Sequence, residues 1–110
     1  KAGDVLIPAS HRLDFAGVAM MATVGQVRAK VWRKPRVAIL ATGDEIVPIE
    51  ETPRPWQIRN SNAHSLAVQV ARAGGLPEIL PVAKDEYAPT HELLERGGYA
   101  AKVVLVTGAL

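Results

Sequence analysis

The sequence contains no cysteine and few aromatic residues, and both features exclude classes of function. Without cysteine, a disulfide scaffold, a thiolate metal site and cysteine-based catalysis are excluded. Aromatic residues make up 5% of the chain, and its 13 lysines and arginines are spread thinly. The formal charge of +2 therefore comes without the basic stripe and interleaved aromatic rings of a nucleic-acid surface, and we predict no nucleic-acid partner.

Long apolar runs, a secretory leader and common cofactor motifs are also missing. No run approaches the roughly 18 apolar residues of a membrane span, and the first residues lack the three regions of a leader. We therefore predict a cytoplasmic protein with no membrane partner. The three histidines lack the spacing of zinc ligands. Neither a Walker A motif nor a G-x-G-x-x-G motif occurs, which disfavours the common nucleotide-binding folds.

The composition that is present is typical of one globular domain. The chain has 110 residues, 48% of them hydrophobic and 22% charged, which is an ordinary balance for a packed core with a polar surface. Both ends look cut, because the chain starts inside a strand-like segment and stops directly after the apolar run at residues 103–106. We interpret it as a fragment of a longer protein.

The chain before Pro35 has the pattern of a small β-rich segment. Residues 4–8 and residues 27–33 are predicted strands, the second because apolar residues alternate with other residues. Between them, Asp14 is predicted to cap a helix that ends at Gly25. We expect this part to be the tail of an N-terminal linker subdomain.

Pro35 marks a boundary, because proline cannot donate to a sheet and restricts the residue before it. We therefore divide the chain into residues 1–35 and residues 36–110. In the second part, strands and helices alternate: strands at 37–41, 78–82 and 103–106, and helices at 63–73 and 89–96. Such alternation predicts an α/β fold with a parallel sheet covered by helices. Three strands are too few to complete it, so we expect the first part of a truncated α/β domain, with the Pro81 strand at an edge.

Four residues after the first of these strands have the chemistry of a site: Thr42, Gly43, Asp44 and Glu45. Gly43 lets a ligand approach the backbone closely, and Thr42 has a hydroxyl group. Asp44 and Glu45 have the oxygen ligands that a hard cation such as Mg²⁺ prefers. In α/β folds, ligands bind at the carboxyl ends of the strands. These residues alone also permit a simple strand-ending turn with solvated acids.

A second candidate element lies at the start of the next helix, at Asn60, Ser61 and Asn62. A helix N-terminus has unpaired amide donors and a partial positive charge, which favour anions. The alternative is that Ser61 or Asn62 only caps the helix. Because both elements belong to one β-α unit, we expect them to converge at one edge of the sheet. A phosphate at the helix and a cation between it and the carboxylates would fit there.

These two stretches closely resemble a known family, the molybdopterin molybdotransferases, which comprise MoeA in bacteria and the gephyrin E domain in animals. The resemblance rests on Val37 to Val47, with Thr-Gly-Asp-Glu at its centre, and on Gln57 to Asn62. Residues 2–9 and 33–37 resemble the linker into the molybdopterin-binding domain of the same family. The resemblance covers nearly the whole chain, and it implies a three-layer, MogA-like parallel fold.

The resemblance also implies a reaction, in which molybdate is inserted into adenylylated molybdopterin with Mg²⁺, releasing AMP and the finished cofactor. It assigns Asp44 and Glu45 as catalytic residues and metal ligands at the molybdate end. It assigns the pterin-phosphate pocket to five residues: Thr42, Gly43, Asn60, Ser61 and Asn62. Family members are elongated dimers whose site also uses the partner subunit, so a homodimer or another self-association is expected.

The chain departs from the family pattern at its end. Residues 107–110 read Thr-Gly-Ala-Leu where the family continues with Gly-Gly-Val-Ser and further acidic site residues. We therefore expect the isolated chain to be inactive. Two alternatives stay open: a non-catalytic module of the same fold that binds molybdopterin or a protein, and the related molybdopterin adenylyltransferase.

Overall fold

The computed structural model describes residues 1–100 and 103–108 and divides the chain into two compact units, residues 1–32 and residues 33–110. The first unit contains helix α1 (Phe15–Thr23). The second contains, in order, β1 (Arg36–Thr42), β2 (Ile46–Val47), β3 (Ile58–Arg59), α2 (Ser61–Arg72), β4 (Leu76–Ile79), α3 (Tyr87–Ala100) and β5 (Val103–Gly108). None of the described helices is long and apolar enough to cross a membrane.

Helix α1 has the ends that the sequence predicts. The Asp14 carboxylate accepts a hydrogen bond from the Gly17 N–H at 2.9 Å, which satisfies one of the unpaired amides of the first turn. This bond stabilises the charged form and lowers the pKa of Asp14 below its usual value. Gly25 follows the helix with φ of 71°, the left-handed geometry that glycine adopts without strain. The predicted start and end of this helix are therefore confirmed.

The two strands predicted before Pro35 are wrong. Residues 1–32, all of which the structure describes, contain no strand, and residues 27–33 are irregular. The side chains that suggested the second strand are open to solvent, with Val27 at 90% and Trp32 at 95% exposure. A strand needs a hydrogen-bonded neighbour, and alternation alone does not provide one. Membership of this unit in a larger β-rich subdomain stays a prediction.

The second unit is built on a parallel sheet with the strand order β4-β1-β5. Helix α2 connects β1 to β4 on one side, and α3 leads from β4 back across β1 to β5. These two crossovers run in opposite directions, so the right-handed rule puts the helices on opposite faces of the sheet. The predicted α/β fold with a parallel three-layer arrangement is confirmed.

Strand β4 lies at an edge of this sheet, as predicted, but it covers Leu76–Ile79 rather than residues 78–82. The backbone N–H of Leu76 donates to the carbonyl of Pro35 at 2.8 Å, so pairing starts directly after the glycines that end α2. Pro77 lies inside β4, opposite Val37, which an edge strand tolerates. Because β4 begins and ends earlier than predicted, Pro81 lies after the strand and not inside it.

Strand β1 is the core of the second unit. Residues Val37 through Ala41 are all buried, and Ile39 and Leu40 are fully inaccessible to solvent. A strand that has neighbours on both sides and helices on both faces is buried on every side, which explains its continuous apolar sequence. The chain then emerges at Thr42, at the carboxyl edge of the sheet.

A short parallel pair, β2 with β3, was not predicted. Ile46 lies opposite Ile58, and the N–H groups of Ile58 and Asn60 donate to the carbonyls of Glu45 and Val47 at 2.8 and 2.9 Å. Two-residue strands are too short to leave a periodic signal in a sequence. The pair closes the loop at residues 48–57 and places the start of α2 beside the segment that follows β1.

Leu40→Ala should lower the free energy of unfolding by about 2–5 kcal/mol, because it leaves a cavity at the fully buried centre of the sheet. Leu76→Ala is the matched control, since the Leu76 side chain is half exposed and should lose clearly less. Urea unfolding of each variant, followed by circular dichroism, measures both losses. Equal losses would contradict the central position of β1.

Candidate functional site

The chain turns sharply where β1 ends, and hydrogen bonds on both sides fix the turn. The Gly43 N–H donates to the Ala83 carbonyl at 3.1 Å, and the Gly43 carbonyl accepts from the Ile46 N–H at 3.2 Å. The Ala83 N–H in turn donates to the Ala41 carbonyl at 2.8 Å. Gly43 has φ of 142°, a value that residues with a side chain rarely adopt. The segment after β4 therefore holds this glycine turn in one geometry.

The Glu45 carboxylate folds back over Gly43. A Cβ atom at position 43 would lie 2.7 Å from Glu45 Oε2 and 2.9 Å from Oε1. Within the described part of the chain, Glu45 Oε1 is buried and has no hydrogen-bond partner. A buried oxygen without a partner is costly and calls for a structural or functional reason. This oxygen is therefore the strongest chemical feature of the turn.

Asp44, the other predicted carboxylate, is oriented differently. It is exposed, and its Oδ1 accepts a hydrogen bond from the Asp85 N–H at 3.2 Å. This bond ties Asp44 to the segment between β4 and α3, which reaches the same edge of the sheet. Neighbouring acids in the sequence thus have different surroundings, one partly buried and one open.

The three residues at the start of α2 also divide into two kinds. Asn60 is 5% exposed and caps the helix, since its Oδ1 accepts from the Ala63 N–H at 3.3 Å. Ser61 and Asn62 are exposed in the first turn. The alternative that Ser61 or Asn62 caps the helix is therefore wrong, because α2 begins two residues earlier than the predicted position 63.

Two cavities open near the carboxyl end of β1. The larger, of about 570 Å³, is lined by Asp44, Glu51, Thr52, Arg54, Trp56, Gln57, Lys84 and Glu86. The smaller, of about 370 Å³, is lined by Thr42, Asp85, Glu86, Thr90, His91 and Leu94. Asp44 and Thr42 thus face adjoining cavities that share Glu86, while Ser61 and Asn62 line neither.

Most residues of the larger cavity, which we call the Trp56 cleft, were not predicted from the sequence. Five of them lie on the loop between β2 and β3, and Lys84 and Glu86 follow β4. Two features of the sequence could have identified these residues. One is the proline-flanked loop directly after Thr-Gly-Asp-Glu. The other is the order of the strands, because the carboxyl ends of parallel strands lie at the same edge of the sheet. The strand order could also have identified Asp85, which follows β4 and whose N–H donates to the Asp44 carboxylate.

Metal ligands are sparse in this region. Across residues 1–100 and 103–108, no group of three histidine, aspartate or glutamate side chains could hold a metal ion. Asp44 and Glu45 therefore offer two carboxylates and not a complete protein cage. Of the departures noted at the end of the chain, Ala109 and Leu110 lie outside the described residues.

Comparison with known proteins identifies relatives along the whole chain. Residues 38–110 match a family described as a "probable molybdopterin binding domain". A molybdopterin molybdenumtransferase from a Nostoc species is 34% identical over all 110 residues, which are 25% of that protein. One from Staphylococcus epidermidis is 30% identical over 110 residues, or 26% of its length. The chain thus spans about a quarter of these relatives.

Solved structures agree with this result. A molybdopterin biosynthesis MoeA protein from Pyrococcus horikoshii superposes with a TM-score of 0.85 at 34% identity, covering 90% of this chain and 25% of that chain. A molybdenum cofactor biosynthesis protein from Pyrococcus furiosus has a TM-score of 0.65 at 23% identity, covering 86% of this chain and 29% of that one. The second likeness concerns the fold alone.

Asn60→Ala should lower the free energy of unfolding by about 1 kcal/mol, because it removes the side-chain acceptor that caps α2. Asn62→Ala is the matched control, since Asn62 is exposed and alanine is a better helix former. Thermal unfolding of the two variants measures the difference. A loss with Asn62→Ala as large as that with Asn60→Ala would contradict the assignment of the cap.

Gly43→Ala should destabilise the chain by about 1–3 kcal/mol, because alanine is strained at this φ and its Cβ would meet the Glu45 carboxylate. Gly74→Ala separates the two causes, since Gly74 has φ of 95° with open space around it. Adding Glu45→Ala to Gly43→Ala should recover part of the loss. Strict additivity in this double-mutant cycle, measured by urea unfolding, would rule out the contact.

Proposed function

This chain belongs to the molybdopterin-binding domain family, and on that premise we propose that it forms the central part of a molybdopterin molybdotransferase. The proposed reaction inserts molybdate into adenylylated molybdopterin and releases AMP and the finished cofactor. Support comes from the relatives with this activity in their names, which match all 110 residues at 34% and 30% identity. Because the chain is about a quarter of their length, the rest of the site would come from other segments.

The observation that carries the proposal is the buried, unpaired Oε1 of Glu45. This carboxylate oxygen is shielded from solvent beside a glycine turn. The turn lies at the carboxyl end of a central parallel strand, which is where α/β folds bind ligands. It is prepared for a cation or a hydrogen-bond donor that arrives with the substrate. We propose that Glu45 acts at the molybdate end of the site, together with Asp44.

Magnesium fits this donor set. Mg²⁺ prefers oxygen ligands and is commonly held by one or two carboxylates together with substrate phosphates and water, without a dedicated protein cage. Glu45 and Asp44 are the residues that would hold it, and the unpaired Oε1 of Glu45 supports this assignment. When bound, the ion would offset the negative charge of molybdate and of the adenylylated substrate.

The substrate phosphates are assigned to the neighbouring backbone. Thr42 offers a hydroxyl group at the end of β1. Gly43 would act indirectly, because its missing side chain leaves the space that the Glu45 carboxylate occupies. The first amides of α2, at Ser61 and Asn62, carry the partial positive charge of a helix N-terminus. Asn60 would support them indirectly, because its side-chain oxygen already caps the helix.

We further propose that the complete protein is a cytoplasmic homodimer. Among the described strands, β4 and β5 form the two edges of a three-stranded sheet, and an open edge invites pairing with further chain or another subunit. A dimer whose partner supplies residues to the site would also fit the lack, among the described residues, of a group of three side chains that could hold a metal ion.

Glu45→Gln in the full-length protein should reduce molybdate insertion by at least about a hundredfold, because it removes the charge that holds the cation while preserving the side-chain volume. The measurement is formation of the finished cofactor from adenylylated molybdopterin and molybdate with excess Mg²⁺. Glu95→Gln on the exposed part of α3 is the matched control and should retain full turnover.

The same experiment distinguishes an enzyme from a binding module. The proposal expects Glu45→Gln still to bind adenylylated molybdopterin, though more weakly because the cation is lost, while insertion fails. Unchanged insertion in Glu45→Gln would remove Glu45 from the site. If the unsubstituted protein binds the substrate and never forms the finished cofactor, it is a binding module.

A further inference from the structure

The Trp56 cleft has the size of a small-molecule site and a mainly polar lining. Its volume of about 570 Å³ falls within the range of small-molecule pockets. Its walls combine an aromatic ring, two cations and three carboxylates, with Trp56, Arg54 and Lys84 among them. Trp56 is 57% exposed, so much of its surface is available to a ligand. Asp44 also lines this cleft and connects it to the glycine turn.

The loop that carries Trp56 is held in place at several points. The Gln57 N–H donates to the Arg54 carbonyl at 2.9 Å, and the Gln57 side-chain oxygen accepts from the Arg54 N–H at 3.1 Å. These two bonds close a turn around Trp56. Further along, the Arg59 guanidinium donates to the Ile49 carbonyl at 3.1 Å. A ring on a pre-formed turn loses little freedom when a ligand stacks on it.

The polar groups of the cleft indicate which planar ring fits. The pyrimidinone edge of a pterin presents a ring N–H and an amino group side by side, and both are donors. A carboxylate accepts two such donors at once, and besides Asp44, which is assigned to the cation, the cleft supplies Glu51 and Glu86. Adenine presents a donor next to an acceptor, which suits a carboxylate less well. Arg54 and Lys84 would then face the anionic part of the same ligand.

We propose that the Trp56 cleft is the pterin subsite, with the indole of Trp56 stacking on the pterin ring and the carboxylate of Glu51 or Glu86 accepting its N–H donors. This inference rests on the proposed function, because it assigns one part of the same substrate to a particular surface. It places the pterin on the side of the turn that Asp44 faces, next to the carboxylates assigned to the cation.

Equilibrium binding of molybdopterin and of adenylylated molybdopterin to the full-length protein tests the assignment. Trp56→Ala should weaken both ligands by roughly tenfold or more, since one aromatic stack is worth about that much. Trp56→Phe should restore most of the affinity, because phenylalanine keeps an aromatic face. Trp32→Ala is the matched control, as Trp32 is 95% exposed in the other unit, and should bind like the unsubstituted protein. With saturating substrate, Trp56→Ala should insert molybdate at a normal rate, so the effect appears in KM and not in kcat.

Three results with the variants would overturn the proposal. Unchanged affinity of Trp56→Ala for both ligands removes Trp56 from the site while leaving the proposed function intact. A loss confined to the adenylylated ligand shows that the indole stacks on adenine and not on the pterin. An equal loss with Trp32→Ala shows that the effect is not specific to the cleft. If the unsubstituted protein binds neither ligand, the proposed function fails, and this inference fails with it.

Discussion

The burial of β1 is the constraint on which the rest of the second unit depends. The strand has a parallel neighbour on each side and a helix layer on each face, so residues Val37 to Ala41 are removed from water. A strand buried in this way cannot carry a polar group along its length without a large cost. Polar chemistry must therefore begin where the strand leaves the core, at Thr42. The position of the candidate site follows from the core and not from the site residues themselves.

The turn after β1 determines the surroundings of the first carboxylates at that position. Gly43 permits the backbone to reverse, and its missing side chain leaves the space that the Glu45 carboxylate occupies. The carbonyl of Glu45 is held by the Ile58 N–H, so the residue is fixed from its backbone while its carboxylate lies partly buried. The pairing of β2 with β3 therefore fixes the backbone on which this side chain is carried.

The sequence was sufficient for the parallel fold and insufficient for the cleft, and the reason is physical. The continuous apolar run of β1 and the amphipathic pattern of α2 are local signals of burial, and both elements lie within two residues of their predicted bounds. The Trp56 cleft is formed by a loop and by the segment after β4, which are far apart in sequence and approach each other only through strand order.

The strand predicted at residues 27–33 was wrong for a related reason. Its alternating pattern was clear, but the segment has no neighbouring strand to pair with. The same limit applies to the cap of α2, where three adjacent residues can all cap and backbone geometry selects Asn60.

Charge links the turn and the cleft. Three carboxylates line the Trp56 cleft against two cations, and Glu45 adds another carboxylate at the turn beside it. An anionic ligand brought to such a surface would be repelled by its net charge unless a cation came with it. The acids are therefore hard to reconcile with a site that binds phosphate alone, and they agree with a ligand that pairs a donor-rich ring with metal-bound anionic groups. Asp44 and Glu45 accordingly offer two different carboxylates to such a ligand: the exposed acid faces the cleft, and the partly buried one has an oxygen without a hydrogen-bond partner at the turn.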